Sequence, residues 1–368
     1  MSYPKGLLAA IHYFSDLDRC HDFMVAFRWP NGVTCSTCGS ADLYYKAKRH
    51  LWQCKTKHPK QEFTAKVGTI MEDSPIGLDK WFAAAWMVTN AKNGTSSYEI
   101  ARALEVTQKT AWFMLQRIRA AMQSEGGMLN GQVEVDETFI GGKARFMHPD
   151  RRAEKITGTG GMGKAAVMGL LERHGPDGHS RVRAKVVKNV KRKTLAPEVR
   201  EHVTPGSEVF SDALKSYDDL NADYIHQVID HAEKYVEGQV HTNGLENFWS
   251  LLKRCIKGTY VSVEPFHLFR YIDEESFRFN TREINDGQRF AKVVAGMVGK
   301  RPRVDRRIYD ASVGKGGGNM TSKMEKDETP FQRFERTMRH IVSVPKKEVE
   351  RRIAEEREQR KAKRKANS

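Results

Sequence analysis

Two sets of residues in this chain have the types and spacing to do chemistry. Cys35 and Cys38 form a Cys-x-x-Cys knuckle closed by Gly39, and Cys54 and His58 follow after fifteen residues. Thiolates and an imidazole at this spacing make a tetrahedral zinc site, which supplies folding energy that so short a segment cannot obtain from burial. A redox pair at Cys35 and Cys38, with His58 as a surface residue, is the competing reading. Cys-x-x-x-His replaces the commoner second Cys-x-x-Cys, a substitution that an imidazole ligand tolerates. Cys20 and Cys255 stand alone.

The second set is acidic: Asp136, Asp212 and Glu246, with Lys253 seven residues beyond Glu246. Three carboxylates drawn together cannot all ionise unpaired. Oxygen-only ligands favour Mg²⁺ or Mn²⁺, and two such ions roughly 3.5–4 Å apart can drive a phosphodiester displacement. Lys253 shares a helix face with Glu246, where a cation can hold a substrate phosphate. Arg254 beside it is set down as a further DNA contact.

The elements that must position these groups follow from periodicity. Gln132 to Ile140 alternates like a half-buried strand, Ala165 to Leu171 is continuously apolar like a central strand, and Val182 to Val187 alternates again. Lys191 to His202 reads as a helix weakened by Pro197. Glu208 to Asp212 and Tyr224 to Ile229 read as short strands, and Thr242 to Ile256 is the strongest helix. Three strands, a helix, a strand, a helix, a strand and a helix is the order of the RNase H-like α/β fold. Its chemistry needs an acid in the first strand, one after the fourth and one on a late helix. Glu134, Asp136 and Thr138 share one strand face, so parity alone does not separate Glu134 from Asp136. Asp136 is preferred because it lies deeper in the strand.

Upstream, a helix is expected over Leu78 to Asn90. Ser97 then caps a short helix, and Thr107 caps another running to about Met122. Gln108, Lys109, Thr110, Gln116 and Arg117 on the second helix suit a helix-turn-helix that contacts DNA. A plain helical hairpin is the alternative. The resulting plan is an N-terminal region 1–75 with the zinc ribbon at about 30–66, a helix-turn-helix region 76–125, a catalytic domain 128–285, and a linker with a basic, helical tail over 286–368.

The composition agrees. Lys and Arg number 62 against 46 Asp and Glu, a net charge of +16 over 368 residues, which points to a polyanionic partner. The longest apolar run, Trp81 to Val88, is too short for the roughly 20 residues that span a bilayer. No leader-like pattern follows Met1, and a cytoplasmic, nucleoid-associated bacterial protein is expected. Gly158 to Lys164 imitates a phosphate-binding loop, but Ala165 replaces the metal-binding hydroxyl and a strand follows, so no nucleotide cofactor is expected. Gly314 to Asn319 reads as a flexible linker.

Arg28 to Ser40, Gly68 to Ser74, Val133 to Gly142, Ser211 to Ala213, His241 to Glu246, Gly258 to Tyr260 and Tyr271 to Asn280 together resemble the zinc-ribbon DDE transposases of bacterial insertion sequences, the ISXO-like group. The resemblance implies a catalytic Asp–Asp–Glu set with a downstream Lys, falling on Asp136, Asp212, Glu246 and Lys253. It implies cutting of the element's ends and joining of the 3′-hydroxyls to target DNA, within a homo-oligomer that holds both ends. A catalytically silent DNA-binding regulator and a structure-specific nuclease of the same fold are the alternatives.

Overall fold

Leu7–Phe14 (α1) and Leu17–Arg28 (α2) meet at Asp16, whose side chain accepts from the N–H groups of Asp18 and Arg19 to start α2. Leu43–Lys46 (β1), Leu51–Cys54 (β2) and Glu62–Thr64 (β3) follow as a small antiparallel sheet in the order β1-β2-β3. Leu78–Asn90 (α3) matches the expected span, with Trp81, Phe82, Trp86 and Val88 buried. Ser97–Leu104 (α4) is capped one residue earlier than expected, by Ser96, because Ser96 and Glu99 close a reciprocal capping box. Glu105, in the left-handed region at φ 52, turns the chain into Gln108–Ala121 (α5), and Thr107 caps that helix. This computed structural model describes residues 4–123, 127–141, 150, 164–175, 177–212, 215–229, 242–261 and 263–300. The glycine-rich segment before Lys164, the Gly314–Asn319 linker and the basic tail lie outside the described residues.

The second sheet comprises Gln132–Ile140 (β4), Ala165–Glu172 (β5), Arg181–Val187 (β6), Glu208–Asp212 (β7) and Ile225–Ile229 (β8), in the order β6-β5-β4-β7-β8. β4, β5 and β6 form the expected antiparallel meander, and β7 and β8 add in parallel on the other side of β4. Arg192–His202 (α6) connects β6 to β7 and keeps Pro197 in its interior. Between β7 and β8 the chain takes a 3-10 segment, Lys215–Ala222, in place of the expected helix.

Each face of this sheet has its own core. Val133, Val135 and Val209 pack with Leu195, Val199, Tyr217 and Leu220 on one side. Val167 and Leu171 pack on the other against Asn243–Cys255 (α7) and Leu268–Asn280 (α8), through Leu245, Phe248, Leu252, Leu268 and Ile272. β5 is therefore covered on both faces, as its unbroken apolar run requires. Asn280 closes the β6 edge by pairing its amide with both backbone groups of Val182, at 2.7 and 2.8 Å.

One expectation is corrected here. Asp286–Met297 (α9), placed with the linker by the sequence reading, is a helix of the N-terminal core. Phe290, Val293, Val294 and Met297 are all buried there with Phe14, Phe23, Phe82 and Trp86. The Ile70 N–H donates to the Met297 carbonyl and the Gly299 N–H to the Gly68 carbonyl, so α9 clamps the Gly68–Ser74 segment.

Candidate active site

β4 brings Glu134 and Asp136 to the α7 side of the sheet, and the two carboxylates have different surroundings. Glu134 is 1% exposed, pairs with Arg173 at 2.7 Å, and accepts the Leu245 N–H at 2.9 Å in the first turn of α7. A carboxylate at a helix N-terminus is favourable, and a Cβ on Gly244 would approach the same oxygens to 2.9 Å, so glycine is what lets the helix sit there. Glu134 thus seats α7 on the sheet. Asp136 is half-buried and lines an open cleft of about 590 Å³ with Glu137, Thr138, Glu246, Trp249, Ser250, Lys253, Arg254 and Lys257. The two acids that strand parity leaves alike thus differ in surroundings: Glu134 is enclosed, and Asp136 faces the cleft.

α7 supplies one wall of the cleft. Leu245, Phe248, Trp249, Leu252 and Cys255 are its buried stripe, while Glu246, Ser250 and Lys253 are spaced to share the opposite side. The helix continues into a π-helical turn, Ile256–Tyr260, which carries Lys257 to the same cleft. Acids therefore stand at the β4 end and cations along the later helix. Asp212 is the last residue of β7. The parallel register runs from Val133 opposite Val209 to Val135 opposite Ser211, and one further step sets Asp136 level with Asp212. His231 and His241 lie outside the described residues.

Trp249 and Gly169 are the residues sequence reasoning missed. Trp249 reads as part of an apolar stripe, yet its indole N–H donates to Asp136 Oδ2 at 2.8 Å, while Oδ1 accepts the Glu137 N–H at 2.8 Å. Gly169 is the β5 partner of Asp136 and is hidden in an apolar run. The signal available was a glycine in an otherwise large-residue strand, which marks a close approach.

In the ribbon, Cys35, Cys38, Cys54 and His58 present their ligand atoms within 4.8 Å of one another. Cys38 Sγ lies 3.6 Å from Cys54 Sγ, and Cys35 Sγ lies 3.3 Å from His58 Nε2. A zinc tetrahedron with ~2.3 Å bonds to sulfur has edges of about 3.5–3.8 Å, so the donor set fits the ion. His58 Nδ1 meets the Pro59 carbonyl at 2.8 Å, which directs Nε2 to the metal. Trp52 and Phe63 stack behind the site at 5.8 Å. These four side chains support a structural zinc.

The helix-turn-helix candidates divide. Lys109 is exposed at the start of α5, Thr110 bonds the cap residue Thr107 at 2.8 Å, and Gln108 donates to Ser97 at 2.8 Å. Gln116 reaches the Tyr271 hydroxyl, and Arg117 donates to the carbonyls of Ile70 and Glu72, both at 2.8 Å. Gln116 and Arg117 are part-buried and make these bonds within the fold, whereas Lys109 is exposed. Further along, Arg119 is 1% exposed and pairs with Glu274 of α8 at 2.6 Å, and the Tyr260 hydroxyl donates to the same carboxylate at 2.6 Å. This buried group links α5 to the turn that ends α7.

Comparison with known proteins completes the picture. Residues 128–280 match the model of the ISXO2-like transposase domain, and residues 16–56 match that of the transposase zinc-ribbon domain. An uncharacterized protein in transposable element ISH50 of Halobacterium salinarum is 28% identical over 248 residues, which cover 65% of this chain and 82% of that protein. An uncharacterized transposase-like protein of Haemophilus influenzae is 37% identical over 100 residues, 27% of this chain and 80% of that protein. The cleft residues fall inside the matched transposase domain, Cys35, Cys38 and Cys54 fall inside the matched ribbon with His58 two residues past its end, and the chain belongs to the ISXO2-like transposase family.

Proposed function

We propose that this transposase is a DDE-type enzyme with an RNase H-like catalytic domain, which cuts the ends of an insertion sequence and joins the freed 3′-hydroxyls to target DNA. The observation that carries this reading is the cleft in which Asp136, Glu246 and Lys253 come together from a strand and a helix. Asp136, Asp212 and Glu246 would hold Mg²⁺ or Mn²⁺, which when bound activates an attacking oxygen and offsets charge on the leaving one. Lys253 supplies a cation for a non-bridging phosphate oxygen as charge develops there. Arg254 and Lys257 extend the cationic side to neighbouring phosphates. The zinc ribbon and the α4–α5 pair, led by Lys109, contact the element's terminal repeats. Two ends must be held at once, which calls for a homo-oligomer. No nucleotide cofactor enters.

The test is an assay of purified protein on the DNA flanking its own gene, with Mg²⁺ or Mn²⁺, beside Asp136→Asn. Metal-dependent nicks at defined ends and joined products, both lost in the variant, are expected. Binding without cutting in both proteins would sink the catalytic reading and leave a DNA-binding regulator. Cutting without joining would instead indicate a nuclease.

A further inference from the structure

The indole of Trp249 is 4% exposed, and a buried indole N–H needs an acceptor. Here the acceptor is the carboxylate at the centre of the cleft: Nε1–H donates to Asp136 Oδ2 at 2.8 Å. The sheet is built to admit the ring. Gly169 stands opposite Asp136 in the antiparallel register, and a Cβ there would lie 2.6 and 2.7 Å from Trp249 Cζ2 and Cη2. Any side chain at 169 would displace the ring and draw its N–H away from the carboxylate. Trp249 also sits one helical turn beyond Glu246, so the turn that offers Glu246 to the cleft is pinned to Asp136 through the indole.

We propose that Trp249 is a positioning residue, whose N–H fixes the orientation of the Asp136 carboxylate and its spacing from Glu246 for divalent-cation binding. Packing alone does not require the nitrogen, since phenylalanine would fill most of the same space. Hydrogen bonds of this kind to a metal ligand are typically worth about 10–100-fold in metal affinity or activity. The inference rests on Asp136 being a cation ligand, as proposed above, and its test separates the two.

Full-length protein labelled with ¹⁵N-tryptophan would be titrated with Mn²⁺ alone, without DNA. The Trp249 indole resonance is identified by its absence in Trp249→Phe. It is expected to shift in Asp136→Ala, and to broaden at low Mn²⁺ in wild type and not in Asp136→Ala. Trp249→Phe is expected to stay folded by circular dichroism and to bind Mn²⁺ about 10-fold or more weakly. Gly169→Ala, which leaves the indole chemically intact while pushing the ring, is expected to weaken Mn²⁺ in the same direction. A folded Trp249→Phe or Gly169→Ala with wild-type Mn²⁺ affinity would overturn the positioning role while leaving Asp136 as a ligand. No broadening in wild type would overturn the ligand reading itself, and the positioning role with it.

Discussion

Glu134 and Asp136 are two residues apart on one strand, and the fold gives them different surroundings. Glu134 is enclosed with Arg173 and the first turn of α7, so Glu134→Ala removes the carboxylate that pairs with a buried guanidinium and leaves a helix N–H without its acceptor. Removing one partner of such a pair costs about 3–5 kcal/mol, and a denaturant melt should show that loss together with lost cutting. Asp136→Asn should abolish cutting while changing stability by less than about 1 kcal/mol, a difference that the same two measurements display. Asp273 allows a prediction in pH. Burial pushes its carboxyl up from 3.8 to about 6, against the pull of Arg270 at 3.3 Å. The folded chain then holds this proton more tightly than the unfolded one, so stability falls as pH rises from about 4 to 6 and levels off above. Asp273→Asn should flatten that slope and gain about 2 kcal/mol at pH 7.5 relative to the parent, read from urea midpoints at pH 4.5 and 7.5.

At the scale of elements, the ribbon is the part most dependent on chemistry outside its own packing. Its strands span four, four and three residues, and only Trp52, Phe63 and a few neighbours are buried between them. His58→Ala should therefore bind zinc far more weakly and lose the ordered ribbon. Metal analysis of the purified protein and hydrogen exchange across residues 30–66 would report both, with β4 to β8 staying protected. Retained zinc and protection would mean that His58 is no ligand. These elements were legible in the sequence for identifiable reasons. Cysteine spacing announces the ribbon, alternation announces β4 and β6, and the Leu245, Phe248, Trp249, Leu252 stripe announces α7. What stayed hidden depends on contacts far apart in the chain. Parity treats Glu134 and Asp136 alike, and their difference in surroundings comes from Arg173, 39 residues away from Glu134 in the chain. Polarity marks Gln116 and Arg117 as outward-facing, and it does not reveal their partners within the fold, Tyr271 and the backbone at Ile70 and Glu72.

For the folded body as a whole, the sequential division into modules does not describe the packing. α9 lies beyond the residues of the matched transposase domain, yet its Phe290 is fully buried among α1, α2 and α3 side chains, 5.3 Å from the Phe14 ring and 5.2 Å from Trp86. The signal was present, since Phe290, Val293, Val294 and Met297 repeat at helical spacing behind an Asn285–Gln288 capping box. It is weak because the other core residues of this cluster lie far upstream. A Cβ on Gly296 would meet the Ala121 carbonyl at 2.2 Å, so the end of α9 rests directly on the end of α5. The Arg119–Glu274 pair then carries α5 onto α8, which packs on the second sheet. Helical core and sheet should consequently unfold as one cooperative unit. Compared with a chain ending at 300, one ending at 285 should lose protease protection from α1 through α5. Phe290→Ala, which leaves a cavity at the centre of that cluster, should cost about 3–5 kcal/mol. If the chain ending at 285 resists protease as well as the longer one, α9 is an accessory rather than a structural member of the N-terminal core.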